Sequence, residues 1–442
     1  MSSGTRNSEI NSQTTRRSFL QASTVAAAGA ALSTAPRSYA ASEKLAIHGG
    51  PAAIPNPDTD AWRWPRYGEV EEEALAAMLR SPDYSDIAAL EQEWLEQTGG
   101  SYAKAYCNGT SVLLSMYFAL NLPPGSEVMV PSYTFFASIV PMRLFGLVPV
   151  FVDINPRTLN FDLEDAKKRL TPNTRAILPV HWIGLPCDMD AISDWAKEKG
   201  LIVLEDCAHA QYAKLKGQHM GTFGEMSIFS YQMSKPLPGI EGGMGLYATQ
   251  EYHDRATIFG HYDTPGIPDD SPYKKYHGTG LGTKTRMHPL AAKLVRLQMR
   301  ELKERVAAGV AQTRRLNDVL TQLPGLYEQT SGRNDVERLY YEWNMLFIDE
   351  KEAGVSRQAV VDALRAEGVR ADALAYRLQH EQPLYKDAEW WHHAPVIPEL
   401  PGSAAANATS VALPYFTTDA PEMVEGYIRA FEKVWAHRKD LA

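Results

Sequence analysis

Cysteine is scarce in this 442-residue sequence: Cys107, Cys187 and Cys207 are the three, and no two of them stand at C-x-x-C spacing. An odd trio without ligand spacing argues against a disulfide framework or a metal site, so small buried side chains are the expectation. Also missing is any block of basic residues after the first few dozen positions, and the net charge is -9. With no cationic stripe to displace counterions from phosphates, nucleic acid is not an expected partner. No apolar run beyond the N-terminal region is long enough to span a bilayer, and no internal repeat is evident. What remains, 44% hydrophobic and 22% charged residues, is the balance of a globular chain whose length suggests two domains.

The first forty residues read as a targeting segment. Thr15-Arg16-Arg17-Ser18-Phe19-Leu20 precedes a mild Ala-rich run, and Ser38-Tyr39-Ala40 offers the small residues that a signal peptidase needs. Paired arginines before a weakly apolar stretch resemble a twin-arginine export signal. The expected location is therefore periplasmic, or cytoplasmic if the signal is not used.

Beyond Ala40, short apolar strands alternate with helical spacing. Helices are expected through Glu72–Leu79, Ile87–Trp94 and Asp188–Lys199, the last with Asp188 as N-cap and Gly200 as stop. Val148–Ile154, Arg175–Val180 and Leu201–Leu204 read as buried strands, so the expected class is α/β with a mostly parallel sheet. A long helical pattern from about Pro289 to Leu323 leads to a smaller α+β region: a strand at Tyr340–Asp349, a helix at Ser356–Glu367, a strand at Ser410–Tyr415 and a terminal helix at Pro421–His437. Tyr262–Gly282 reads as loop. The expected division is 1–40 signal segment, 41–300 large domain and 301–442 small domain.

Ligands of such sheets bind outside the carboxyl ends of the strands. Four features fall at such ends: Asn108-Gly109-Thr110-Ser111 before an apolar helix, His181, Asp206, and the loop Ser230-Tyr231-Gln232-Met233-Ser234-Lys235. A helix start with a glycine and hydroxyl donors suits a phosphate. A lysine in a shielded loop suits imine formation with an aldehyde.

In this order and spacing the motifs resemble the DegT/DnrJ/EryC1/StrS family of sugar aminotransferases, of fold type I. The resemblance rests on Asn108-Gly109-Thr110, Pro131-Ser132-Tyr133-Thr134-Phe135, Val180-His181-Trp182-Ile183-Gly184, Glu205-Asp206-Cys207-Ala208-His209-Ala210, the Ser230…Lys235…Glu241-Gly242-Gly243 loop and Arg286-Met287. It implies pyridoxal 5'-phosphate as cofactor, bound by the large domain, with Lys235 forming the imine link and shuttling a proton. Asp206 pairs the pyridine nitrogen, Phe135 stacks on the ring, and His209 lies near the phenolic oxygen. Gly109, Thr110, Ser111 and Ser230 hold the phosphate, and His181 belongs to the same cofactor set.

The sequence departs from the family in one place. Lys284 stands where most members carry an asparagine that reaches the neighbouring subunit's phosphate; in carrying lysine there the chain resembles the cyclitol and aminobenzoate branches. The implied assembly is a homodimer. The implied reaction moves an amino group from glutamate or glutamine to a keto-sugar, nucleotide-linked sugar or keto-cyclitol. The competing expectation is an exported sugar-binding protein that kept the fold without transamination.

Overall fold

Short apolar and β-branched runs, each closed by a polar or turn-forming residue, form the strands that organise the molecule. The structure is a computed structural model and describes residues 43–441; the expected export signal lies outside the described residues. In chain order the strands are β1 (Tyr102–Tyr106), β2 (Glu127–Pro131), β3 (Val148–Val152), β4 (Thr174–Ile177), β5 (Ile202–Asp206), a short ribbon of β6 (Lys214–Leu215) and β7 (Gln218–His219), then β8 (Met226–Ser230) and β9 (Gly243–Tyr247). Seven of them pair in the order β1-β9-β8-β5-β4-β2-β3. Pairing is parallel from β8 across to β3, and β9 runs antiparallel to both of its neighbours. The fold is the expected α/β arrangement around a mostly parallel sheet.

Alternation along the strands divides the core in two. Met129, Val203 and Phe229 join one apolar cluster, while Val128, Val130, Leu204 and Ile228 join another on the opposite face. The covering helices are α1 (Glu69–Arg80), α2 (Ser85–Thr98), α3 (Gly109–Leu120), α4 (Leu163–Arg169), α5 (Met189–Lys199), α6 (Gln250–Gly260) and α7 (Pro289–Leu320). Asp188 precedes α5 as expected but makes no side-chain cap. Its carboxylate accepts instead from Arg333 Nη1 at 2.6 Å.

A second sheet, in the antiparallel order β10 (Leu326–Glu328), β12 (Trp343–Ile348), β13 (Ser410–Pro414), carries the C-terminal core. The intervening β11 (Val336–Glu337) pairs with β6 of the ribbon. Helices Arg357–Ala366 and Pro421–Ala436 supply Val360, Tyr427 and Phe431 to the C-terminal core.

Two refinements to the expected division follow. Leu45, Ile54 and Ala61 also belong to that C-terminal core, and the buried Glu367 carboxylate accepts from the Ala46 and Ala53 N–H groups and from Lys433 Nζ. The boundary expected at 300 falls inside α7, which runs unbroken past it. The loop expected over 262–282 contains one three-residue turn, Lys274–Tyr276.

Candidate active site

The carboxyl ends of β1, β5 and β8 present Asn108–Gly109, Asp206 and Ser230 at one edge of the sheet. Asp206 is 4% exposed. Its Oδ2 accepts from Ser138 Oγ at 2.7 Å and its Oδ1 from the Ala208 N–H at 3.0 Å. No cation forms an ion pair with it among the described residues. A buried carboxylate held by two donors but lacking a counter-charge suits a protonated ring nitrogen, which would supply that charge.

Helix α3 begins beside it. Asn108 caps the helix through its side chain, which accepts from the Ser111 N–H at 2.8 Å. The Ser111 hydroxyl lies 3.2 Å from Cys107 Sγ. The Ser111 N–H is thus taken by the cap, while its hydroxyl, which can accept from the Cys107 thiol, keeps a proton to donate. The Gly109 and Thr110 N–H groups have no acceptor among the described residues, and they point the positive end of a twelve-residue helix outward. A Cβ on Gly109 would lie 3.0 Å from Ile228 Cδ1 and 3.3 Å from Ser230 Cβ. Gly109 and Ser230 therefore pack closely, and a side chain at 109 would crowd both Ile228 and Ser230.

The Lys235 loop is held from several sides. Its backbone folds back through the Met233 N–H to Ile240 O and the Gly239 N–H to Tyr231 O. Trp64 Nε1 donates to Lys235 O at 3.0 Å, and Arg305 Nη2 donates to Pro236 O at 3.0 Å. Lys235 Nζ donates to the Tyr341 hydroxyl at 3.1 Å and sits 4.3 Å from the centre of that ring. Burial drives the amine down to about 8, opposed by the charges of Asp206 and Glu342. A lysine so placed is partly neutral near physiological pH, as a nucleophile and proton carrier must be.

His209 stacks on Tyr341 with ring centres 4.2 Å apart and leans on Trp182. Its Nδ1 accepts from the Ile183 N–H at 3.4 Å, which leaves the proton on Nε2. Burial, and after it the Lys235 charge, hold its pKa well below the usual histidine range. His209 is thus a neutral donor packed against the partner of Lys235. Phe135 rests on Phe136 yet remains 55% exposed, an aromatic face with room for a flat ligand.

His181 is placed differently from the expectation. It has 0% exposure, with Nε2 3.2 Å from Glu205 Oε2 and Nδ1 accepting from the Cys187 N–H. Both ring nitrogens are occupied, so His181 braces the ends of β4 and β5 and has no nitrogen left for a cofactor. His181, Glu205 and Cys207 cluster closely enough to suggest a metal. The Glu205 carboxylate, however, already accepts from the Gly221, Phe223 and Gly224 N–H groups. Lys284 is exposed and has no partner among the described residues; its neighbour Thr285 accepts from the Cys107 N–H just before α3.

Sequence reasoning missed Tyr341, Ser138, Trp64 and Arg305. Tyr341 stands in a Tyr-Tyr pair ahead of β12, and Ser138 lies three residues after Phe135. Neither has a local signature, because each acts on a residue distant in the chain.

Residues 66–431 match the model of the DegT/DnrJ/EryC1/StrS aminotransferase family. The chain is 29% identical over 378 residues to 3-amino-5-hydroxybenzoate synthase of Amycolatopsis mediterranei, covering 79% of this chain and 97% of that one. It is 32% identical over 320 residues to the UDP-N-acetyl-3-dehydro-alpha-D-glucosamine 3-aminotransferase of Acidithiobacillus ferrooxidans, covering 71% and 80% of the two chains. The crystal structure of an aminotransferase from Psychrobacter cryohalolentis superposes with a TM-score of 0.77 at 25% identity, covering 85% of this chain and 99% of that one. A poised lysine, an unpaired buried carboxylate and an open helix start thus meet in a chain that belongs to the pyridoxal-phosphate-dependent DegT/DnrJ/EryC1/StrS aminotransferase family.

Proposed function

We propose that this enzyme transfers the amino group of glutamate or glutamine to a keto-sugar or keto-cyclitol. The observation that carries the reading is Lys235, a buried amine with a pKa of about 8 on a braced loop. A protein that only bound sugars would have no use for it, which counts against the competing binding-protein reading. When bound, the cofactor supplies an electron sink for the carbon that loses its proton. Lys235 is the group that can take that proton and return it. Asp206 would keep the ring nitrogen protonated, the Gly109 and Thr110 N–H groups and the Ser230 hydroxyl would receive the phosphate, and His209 would donate from Nε2.

The acceptor class rests on the relatives, which are named for an aminohydroxybenzoate and for a nucleotide-linked aminosugar. A nucleotide-linked keto-sugar is therefore within the proposed range. The decisive experiment follows the visible band of the lysine-bound cofactor. Donor should bleach it, a panel of keto-sugars and keto-cyclitols should restore it, and Lys235→Ala should abolish it. A wild-type protein that stays colourless in excess cofactor would end the proposal.

We further propose that the enzyme works as a homodimer and leaves the cytoplasm by the twin-arginine route. Support for export is Arg16-Arg17 ahead of an Ala-rich run and a Ser38-Tyr39-Ala40 cleavage site. A reporter fused to residues 1–42 should reach the periplasm and stay inside when Arg16 and Arg17 become lysine. Retention of both versions would return the enzyme to the cytoplasm.

A further inference from the structure

A cavity of about 220 Å³ lies beside the Lys235 loop, with Trp62, Trp64, Arg305, Tyr341, Arg370 and Tyr415 in its wall. Tyr341 ties it to the amine, since the Tyr341 hydroxyl accepts from Lys235 Nζ. Ser234, the residue before Lys235, lines it too and hydrogen-bonds the same hydroxyl at 2.8 Å.

Two of the lining residues are cations without an ion-pair partner among the described residues. Arg305 donates to Gln298 Oε1 and Pro236 O, both uncharged, and its guanidinium lies 4.9 Å from the Trp64 ring. The acids that act on it most, Glu301 and Glu71, do so from beyond contact distance. The Arg370 guanidinium lies 5.9 Å from the Trp62 ring and 5.5 Å from the Trp343 ring. Several other arginines of this chain are heavily paired: Arg296 with Glu93 and Asp86, Arg314 with Glu328 and Asp318, Arg333 with three aspartates. Both unpaired guanidiniums line a cavity whose wall also holds Ser234 and Pro236, the residues on either side of Lys235. Glu342 also lines it, so two guanidinium groups face one carboxylate and the wall carries a surplus positive charge. Guanidinium groups match carboxylates in shape as well as charge.

We propose that this cavity is the amino-donor subsite, in which Arg305 and Arg370 hold a carboxylate of the incoming amino acid beside Lys235. The proposal rests on the transaminase reading above and adds where the donor sits. Size favours the donor over a nucleotide-linked acceptor. A cavity of about 220 Å³ is below the range of roughly 300–1,000 Å³ usual for larger ligands, yet it is adequate for a five-carbon amino acid. The aromatic walls would cover the donor's methylene groups while the guanidiniums fix one end, leaving its amino group nearest the lysine.

An acidic acceptor could present the same carboxylate, so the test treats the two half-reactions separately. Arg370→Met is the primary variant, because Arg370 makes no hydrogen bond to the Lys235 loop. Arg305→Lys is the second, keeping a donor for Pro236 O while losing the planar fork. In Arg370→Met the band of the lysine-bound cofactor should be normal before donor is added. The glutamate or glutamine concentration that half-bleaches it should rise about tenfold or more, with the limiting rate changed far less. Glutarate, a dicarboxylate with no amino group, should bind the wild-type apoprotein in calorimetry and lose affinity in parallel in both variants.

An unchanged half-bleaching concentration in Arg370→Met, with wild type bleached normally, overturns the subsite and leaves the transaminase reading standing. A rise confined to the acceptor half-reaction also overturns it, assigning the carboxylate to the acceptor. Failure of any amino acid to bleach the wild-type band overturns the transaminase reading and the subsite together.

Discussion

With its pKa at about 8, roughly one Lys235 amine in ten is neutral at pH 7, against fewer than one in a thousand for an ordinary lysine. Only the neutral form attacks an aldehyde, so cofactor capture by the apoprotein should accelerate with rising pH and level off above a midpoint near 8. Stopped-flow absorbance across pH 6 to 10 would measure it, and a midpoint near that of free lysine would contradict the burial argument. Tyr341 stabilises the charged amine by accepting its hydrogen bond and by offering its ring face. Tyr341→Phe should therefore move the midpoint below that of wild type. The same shift is a stability statement. Between about 8 and the ordinary 10.5 the unfolded chain binds the proton and the folded apoprotein does not. Apoprotein stability should rise with pH across that window, and Lys235→Met should remove that part of the slope in denaturant titrations. Asp206 acts in the other direction, by keeping a charge in place. Asp206→Asn should leave Ser138 a hydrogen-bonding partner yet slow the donor half-reaction by about 10²- to 10³-fold, as single-turnover decay of the cofactor band would show.

At the level of elements, the start of α3 meets the end of β8 and the start of β9, and the fit there is close. A Cβ on Gly243 would lie 2.7 Å from Asn108 C, tighter still than the 3.0 Å contact at Gly109. Gly109→Ala should cost about 1–3 kcal/mol of stability by overpacking and weaken cofactor binding, because the added methyl enters the space against Ser230. Thermal melts with and without cofactor should show a lower apoprotein midpoint and a smaller cofactor-induced rise. This junction was legible in the sequence because each piece carries a local signal: an apolar strand, a cap residue, a glycine. Strands β3, β5 and β13 were legible for the same reason, through short apolar runs such as Leu201–Leu204 and Val411–Leu413. The supports of the Lys235 loop were not. Trp64 and Arg305 reach it from 171 and 69 residues away, and nothing in their neighbours marks them. Asp188 does hold the N-cap position of α5 as expected, but its carboxylate accepts from Arg333, 145 residues on, and not from the helix N–H groups. His181 resembled a ligand because it stands at a strand end, but strand ends also need bracing, and Glu205 with the Cys187 N–H decides between the two roles.

At the scale of the whole molecule, the proposed homodimer gives Lys284 two possible places to act, its own phosphate site or its neighbour's. Lys284 is an exposed lysine with no partner among the described residues, next to a threonine that anchors the approach to α3. A lysine meets phosphate as a point charge and needs no exact orientation, so it can serve across an interface where an asparagine would require closer alignment. If Lys284 serves the neighbouring subunit, Lys284→Ala should weaken cofactor affinity by about tenfold without altering the Lys235 midpoint, because the lost charge faces the phosphate and not the amine. The assignment across the interface can then be tested by mixing. A Lys284→Ala subunit keeps Lys235, and a Lys235→Ala subunit keeps Lys284. Co-refolding the two should yield hybrid dimers with one complete site, recovering high-affinity cofactor binding in proportion to the hybrid fraction. If Lys284 acts within its own chain, no hybrid contains a complete site and affinity stays at the level of the Lys284→Ala parent. Absence of any dimer in ultracentrifugation at working concentration would remove the basis of the trans assignment.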